Sequence, residues 1–287
     1  MHPGDRGPIP RRSTNKMFIW EVILFTVLAS FIAWFFYRNF SKPSHNREWI
    51  RVHKKLPSFE YNIEGKVIAR NIRSARYRTE SDYDVSYKDG VFDINNLSRV
   101  WFIIEPYSFG QAHTFLSFEF DDERYLGVSV EVRKTRQKSF KAWMVSIWNY
   151  EIFYILADEE DLLYLRTNIR KDPVRLYPLR LSREAAQEVF KSVISGVNNF
   201  YENPVFYRIF SLNCTNIPMS HIRQASSLMP RFNAGYVITS GSDRVLYQAG
   251  LIDNSAPLSV IRRRYNITSK AQSLKCDASF SKRVRSR

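Results

Sequence analysis

The amino-acid sequence predicts an α+β domain with an antiparallel sheet, preceded by one membrane-spanning helix. Three observations lead to this prediction. A single apolar run near the N-terminus has the length of a bilayer span. Two neighbouring segments rich in aromatic and β-branched residues have the pattern of a hairpin. The segments after the hairpin alternate between strand and helix patterns.

The apolar run extends from Met17 to Tyr37 and is interrupted only by Glu21. At about 1.5 Å per residue it covers roughly 32 Å, close to the ~30 Å hydrocarbon core of a bilayer. It is too long for the apolar region of a signal peptide, and no small-x-small cleavage site follows it. Trp34, Tyr37 and Arg38 give its end the aromatic and cationic border of a membrane interface. No later segment approaches about 18 apolar residues, so the sequence predicts one span.

The formal net charge of +15 suggests attraction to anionic lipid headgroups or to nucleic acid. The basic residues are not interleaved with aromatic residues in a recognisable motif, so we expect no nucleic-acid partner. Four Lys and Arg residues precede the apolar run, whereas six follow it closely. By the positive-inside rule this count slightly favours a cytoplasmic position for the large domain.

The chain divides into five predicted segments. They are a disordered basic tail (1–16), the transmembrane helix (17–37), a juxtamembrane linker (38–58), a folded domain (59–262) and a basic C-terminal tail (263–287). The sequence lacks CxxC, HExxH, GxGxxG and P-loop patterns, so we expect no metal and no cofactor. Its two cysteines imply no disulfide framework, although the sequence does not decide whether they form one disulfide with each other.

The hairpin is the clearest β signal in the folded domain. His113–Phe120 and Tyr125–Lys134 are joined by the short polar stretch Asp121–Arg124. A further strand is predicted at Glu151–Leu156. After it come a helix at 159–169 and a strand at 174–177, and then a long helix that Ser182 opens as N-cap and that runs to about Tyr201.

Cys214 is the candidate nucleophile. A cysteine nucleophile needs a low thiol pKa, a nearby base and a group that orients the base. Asn213 and Thr215 are both good N-cap residues, so we expect Cys214 in the first turn of a helix to about Ala225, where the positive helix end stabilises a thiolate. The alternative is a small buried residue before a helix.

His113 is the candidate base. Of the five histidines only His113 and His221 fall inside the predicted folded part. On one continuous helix, His221 would lie roughly 10 Å from Cys214 along the axis, too far for direct proton transfer. In the preferred hairpin register His113 lies near Glu131, which would accept from the ring and fix its tautomer, with Ser129 as the weaker candidate. Equally, Glu131 could be a solvated carboxylate paired with Arg133.

Several of these motifs together resemble the Lnb N-terminal periplasmic domain family. The resemblance covers about residues 60 to 260, and the motifs occur in the family's order and spacing. They are Arg70–Arg73, Tyr77, Tyr83, Ala112–Phe118, Ser129–Arg133, Tyr150 and Glu151, Asp158–Glu160, Arg166–Asn168, Asn213–Ile217 with His221, and Leu246–Gly250.

The resemblance implies a permuted papain-like (NlpC-type) fold, in which the histidine strand precedes the cysteine helix. It also implies a cysteine-dependent acyltransferase chemistry, the N-acylation of bacterial lipoproteins through a thioester. By position Cys214 matches the family's cysteine and His113 its histidine, and Glu131 lies in the matching Ser-x-Glu-x-Arg run.

The same resemblance implies a single-pass protein of the bacterial inner membrane whose domain faces the periplasm, against the charge count. The implied partners are membrane phospholipid, a lipoprotein substrate, and a separate membrane protein in place of the further membrane helices that the family's acyltransferases carry. Two alternatives stay open. One is a cell-wall amidase or peptidase of the NlpC type that uses the same residues, and the other is a non-catalytic envelope module with Cys214 buried.

Overall fold

The computed structural model describes residues 14–107, 110–137, 144, 148–230, 233, 235 and 238–286. The chain divides into two compact units, Met1–Lys42 and Pro43–Arg287. Most of the predicted basic tail at 1–16 lies outside the described residues.

The first unit contains helix α1, Thr14–Phe40. Its stretch Phe18–Phe40 is the one described helix that is long and apolar enough to cross a membrane, with a mean hydropathy of 2.1. Apolar side chains lie all around it and none of this stretch is buried inside the protein, as expected for a helix that contacts lipid. The single N-terminal apolar helix is therefore confirmed, with an end three residues beyond the predicted one.

Nine strands form one sheet in the described part of the second unit. They are β1 Ser58–Tyr61, β2 Val67–Tyr77, β3 Tyr83–Phe92, β4 Leu97–Pro106, β5 Ala112–Phe120, β6 Tyr125–Val132, β7 Glu151–Ala157, β8 Arg175–Pro178 and β9 Val205–Phe206. The order is β1-β2-β7-β6-β5-β4-β8, with β3 paired to β2 and β9 to β7.

The sheet is mixed rather than purely antiparallel. All neighbouring strands run antiparallel except β2 and β7, which pair in parallel through Arg73 and Ala157. Among the described residues, β1 to β6 follow one another without an α-helix between them, and the α-helices of this unit all come after β7, so the α+β class is confirmed.

Strands β5 and β6 form the predicted hairpin at the centre of the sheet. Phe115 lies opposite Ser129 and Glu119 opposite Tyr125. The hydrogen bond from Phe120 N to Arg124 O (3.0 Å) closes the turn. Because the pairing is antiparallel, extending the same register by two residues brings His113 towards Glu131.

Seven helices of the second unit complete the described structure. They are α2 Glu159–Tyr164, α3 Arg183–Glu202, α4 Asn216–Ala225, α5 Ser242–Gln248, α6 Leu258–Arg264, α7 Thr268–Gln272 and α8 Phe280–Arg285. A π-helical turn, Leu165–Ile169, directly continues α2.

The two faces of the sheet carry separate apolar cores. Successive side chains of a strand point to opposite faces. Ala112 and Leu116 of β5 pack with the apolar side of α3, for example with Val193. Phe115 packs on the opposite face with residues of α2, α7 and α8, including Phe280. His113 shares the face of Phe115 because the two are two residues apart on the same strand.

The juxtamembrane segment is part of the domain, and not a linker that ends at residue 58. Trp49 and Val52 are buried, and Trp49 forms a β-bridge with Thr135. The Arg133 guanidinium lies 4.2 Å from the centre of the Trp49 ring. The linker prediction followed the many cationic residues of this segment and missed the apolar residues that attach it to the sheet.

The predicted basic C-terminal tail at 263–287 folds as well. It contributes α7 and α8. Phe280 and Val284 of α8 lie one helical turn apart, and both are buried. Arg285 forms two hydrogen bonds with Glu159 (2.5 and 2.6 Å) and lies over the ring of Trp101. The tail prediction rested on charge alone and missed this buried apolar and ionic contact.

Candidate active site

Cys214 was expected in the first turn of a helix and lies in the turn that leads into α4, two residues before the first helical residue, and Asn213 caps this turn. Asn213 Oδ1 accepts hydrogen bonds from the backbone N–H groups of Thr215 (2.8 Å) and Asn216 (2.7 Å). The Asn213 carbonyl accepts from Ile217 N (3.2 Å), the first bond of helical spacing. Thr215 occupies the N-cap position of α4 without a side-chain cap bond, so Asn213 caps the turn that leads into the helix, and Cys214 is the first residue of this turn.

Cys214 is held against the beginning of β5. Thr114 Oγ1 donates to the Cys214 carbonyl (2.8 Å), and Cys214 Sγ donates to the Ala112 carbonyl (3.8 Å). Both contacts involve the immediate neighbours of His113. The cysteine is partly exposed, and among the described residues its backbone N–H donates no hydrogen bond.

His113 contacts Ser129 directly and Glu131 through it. His113 Nε2 lies 2.9 Å from Ser129 Oγ, and Ser129 Oγ lies 3.3 Å from Glu131 Oε1. An ionised carboxylate only accepts hydrogen bonds, so the Ser129 hydroxyl donates to Glu131 Oε1 and accepts from His113 Nε2–H. The imidazole is therefore assigned the tautomer with an unprotonated Nδ1.

The prediction named Glu131 as the preferred hydrogen-bond partner of His113 and Ser129 as the weaker one, and the structure shows the opposite. Ser129, the weaker candidate, is the direct partner, while the Glu131 carboxylate is 3.9 Å from His113 Nε2. Glu131 does not pair with Arg133 as a solvated strand carboxylate, since its side chain is largely buried and bound by another arginine. Among the described residues, no hydrogen bond joins the His113 ring to Cys214 Sγ.

Arg166 is a site residue to which the sequence alone gave no role. It projects from the π-helical turn, which widens the helix locally, and is 3% exposed. Its guanidinium donates to Glu131 Oε1 (3.0 Å) and to Glu105 Oε2 (2.9 Å). It thereby connects Glu105, near the end of β4, with Glu131 of β6.

His53 is also inside the folded part, contrary to the prediction that only His113 and His221 are. It is 3% exposed, and its ring centre lies 4.9 Å from that of Phe153. His53 Nε2 lies 4.0 Å from Glu131 Oε2. The prediction failed because the segment around His53 was assigned to the linker.

His221 belongs to the core and not to this site. Its Nε2 bonds to Tyr154 Oη (2.7 Å) and its Nδ1 to Ser192 Oγ (2.7 Å). These contacts attach α4 to the sheet and to α3, so both ring nitrogens are already satisfied. The proposed exclusion of His221 as the base is consistent with this arrangement.

The candidate pair is neutral in this structure. Burial raises the pKa of the Cys214 thiol to about 11. Burial, aided by the Arg166 charge, lowers the pKa of His113 to about 4. Burial by itself would raise the pKa of Glu131, but Arg166 and His113 hold it well below its usual value. The prediction that Cys214 is a thiolate is therefore wrong for this structure. Burial raises the pKa of the thiol by more than the partial positive charge of the helix N-terminus lowers it.

Both cysteines, Cys214 and Cys276, are free thiols, so they form no disulfide with each other. Among the described residues, no group of three or more His, Cys, Asp or Glu side chains is arranged to hold a metal ion.

Comparison with known proteins identifies a family. A sequence model of the Lnb N-terminal periplasmic domain matches residues 83–238, which is more than half of the chain. The matched region contains His113, Ser129, Glu131, Arg166 and Cys214, and it confirms the resemblance drawn from the sequence motifs. No curated protein and no solved structure matches the chain significantly.

Proposed function

The chain belongs to the Lnb N-terminal periplasmic domain family, and from this premise we propose that it is a Cys–His acyltransferase anchored in the bacterial inner membrane. Family membership and the apolar helix α1 make it a periplasmic, membrane-associated envelope protein. Within the proposal Cys214 is the nucleophile, His113 the base, and Glu131 the carboxylate that orients the base through Ser129.

The contact of Cys214 with both neighbours of His113 is the observation that carries the proposal. It brings the N-terminus of α4 to the strand end that bears the imidazole. The arrangement resembles a permuted papain-like site, in which a histidine strand precedes a cysteine helix. Since the His113 side chain and Cys214 approach β5 from different faces, the proposal requires His113 Nδ1 to reach Sγ around the beginning of the strand.

The proposed reaction has two steps. His113 Nδ1 takes the thiol proton while Sγ attacks the acyl ester of a phospholipid, and the resulting oxyanion accepts a hydrogen bond from the Cys214 N–H. Collapse breaks the ester bond, the lysophospholipid oxygen takes the proton from His113, and a thioester stays on Cys214. An amine, such as the N-terminus of a diacylated lipoprotein, then attacks the thioester and loses a proton to His113. The C–S bond breaks, the amide product leaves, and the departing thiolate takes the proton back from His113, which regenerates the Cys214 thiol.

Exposed apolar side chains near Cys214 favour an acyl substrate over a cell-wall amide. Phe210 is 75% exposed, and its carbonyl accepts from Asn216 Nδ2 (2.9 Å) at the start of α4. Ile238 is 56% exposed and lies beside Gly110, just before β5, where the positive φ of 74° favours glycine. A polar glycan–peptide substrate gives no reason for such residues, whereas an acyl chain does.

A non-catalytic envelope module is the second candidate. The observation in its favour is the neutral Cys214 thiol, whose pKa of about 11 leaves very little thiolate at pH 7. In that case the Asn213 cap and the Thr114 contact serve to attach α4 to the sheet.

Mass spectrometry distinguishes the two candidates. The full chain is incubated in bilayers that contain a phospholipid with isotopically labelled acyl chains. We expect a hydroxylamine-sensitive acyl adduct on Cys214 that is absent in Cys214→Ser, slow in His113→Ala and unchanged in the matched control Cys276→Ser. An absent adduct, together with a Cys214 thiol that resists alkylation in the folded protein, would overturn the acyltransferase in favour of the module.

A further inference from the structure

The segment that carries His53 is held on the sheet by two buried arginines. Arg73 NH1 donates to the carbonyl of Val52 (3.1 Å). Arg133 donates through Nε to the carbonyl of His53 (3.0 Å) and through NH2 to that of Lys54 (3.1 Å). Three consecutive carbonyls are therefore bound by charged donors, which fixes the backbone from which the His53 ring projects.

The orientation of the ring follows from its other contacts. His53 Nδ1 accepts a hydrogen bond from Lys134 N (2.9 Å), so this nitrogen carries no proton. Burial lowers the pKa of His53 to about 3, so the ring is neutral and its one proton is on Nε2. That N–H faces Glu131 Oε2 at 4.0 Å, a separation closed by a small side-chain movement or one bridging water.

The two oxygens of Glu131 have different donors. Oε1 accepts from Ser129 (3.3 Å) and from Arg166 (3.0 Å). Among the described residues no hydrogen bond or ion pair shorter than 4.0 Å reaches Oε2, and the neutral His53 ring lies at that distance through Nε2. His53 is thus placed to stop the carboxylate from turning away from Ser129 and His113.

We propose that His53 is a positioning residue of the candidate active site, which holds Glu131 through Nε2–H and so fixes the Glu131–Ser129–His113 relay. The inference rests on the proposed function. It adds that the segment joining the membrane helix to the sheet completes the site. The domain without residues 43–57 would lack this support of its base.

Two substitutions separate positioning from packing. His53→Gln keeps an N–H donor near the position of Nε2, whereas His53→Asn keeps an acceptor for Lys134 N but does not reach Glu131. Positioning predicts that Cys214 acylation is about tenfold slower in His53→Asn and within about threefold of wild type in His53→Gln. A packing role predicts the reverse order, because the Lys134 contact attaches the segment.

The experiment uses the full chain in phospholipid bilayers, in a Cys276→Ser background. The acylation rate, the rate of Cys214 alkylation by iodoacetamide and the melting temperature are measured for each variant. His45→Gln, a change in the same segment at a histidine that contacts Arg133 (3.3 Å) and not Glu131, is the matched control and should keep the wild-type rates.

The alkylation rate makes the outcome independent of the acyl donor. If no lipid acylates the wild type, the proposed function fails, yet faster alkylation in His53→Gln than in His53→Asn still supports the positioning role. Equal rates in the two variants, or rates that simply follow the melting temperature, would overturn it.

Discussion

Ser129 is the residue on which the orientation of His113 depends most directly. It is fully buried, and its hydroxyl is the one described group that hydrogen bonds to both His113 and Glu131. Ser129→Ala removes that link, and we expect Cys214 acylation to slow about tenfold, equivalent to roughly 1.4 kcal/mol. Ser117→Ala is the control, since Ser117 is equally buried on the neighbouring strand. An unchanged rate in Ser129→Ala would mean that Ser129 does not orient the base.

The pKa of Cys214 predicts the pH dependence of its alkylation. Only the thiolate reacts, and its fraction rises about tenfold per pH unit below the pKa. With a folded pKa of about 11, the alkylation rate in a Cys276→Ser background should keep rising from pH 7 to pH 10. A plateau that begins below pH 9 would show instead that a protonated His113 stabilises the thiolate.

The site residues differ in how far the sequence alone predicts them. Cys214 and the cap by Asn213 follow from local helix-start chemistry, and the contact of His113 with β6 follows from hairpin register. Arg166 and His53 come from segments distant in sequence, and no local pattern connects either with Glu131. Arg166 moreover depends on a π-helical turn, for which the sequence has no recognised signal.

At the scale of elements, the Asn213 cap fixes the start of α4. Asn213→Ala leaves the N–H groups of Thr215 and Asn216 without an acceptor, and we expect a loss of about 1 kcal/mol in the free energy of unfolding. Asn213→Ser, which like Asn213→Ala lacks the Nδ2 that donates to the Ile209 carbonyl, keeps an acceptor oxygen for the cap and should lose less. Chemical denaturation of both variants measures the difference, and equal losses would argue against a capping role.

Helix α8 shows why charge counting mispredicts an element. Its cations suggest a solvated tail, but Arg285 is bound by the buried Glu159 and lies over the rings of Trp101 and Tyr125. Strand and hairpin patterns were more reliable because side-chain alternation is a direct consequence of strand geometry. The apolar pair of α8 has the same kind of signal, yet one turn is too short to stand out.

For the molecule as a whole, the Arg285–Glu159 pair attaches the last helix to the start of α2. Arg285→Met leaves a buried carboxylate without its partner, and we expect a loss of about 3–5 kcal/mol in unfolding free energy. Arg285→Met combined with Glu159→Leu removes both charges and should recover much of that loss. If the double variant is no more stable than Arg285→Met, the ion pair is not the main contact of α8.

The count of flanking charges and the family membership predict opposite orientations of the chain in the membrane. The count of Lys and Arg near the apolar run slightly favours a cytoplasmic domain, whereas family membership makes it periplasmic. The flanking charges differ little, so a translocated domain is compatible with them.

A fluorescent protein that matures only in the cytoplasm, fused after residue 287, should stay dark, and alkaline phosphatase at the same place should be active. Moving the same reporters to the N-terminus should reverse both signals. A bright C-terminal fusion would mean that the charge count decides the topology, and the domain would then have no access to periplasmic lipoproteins.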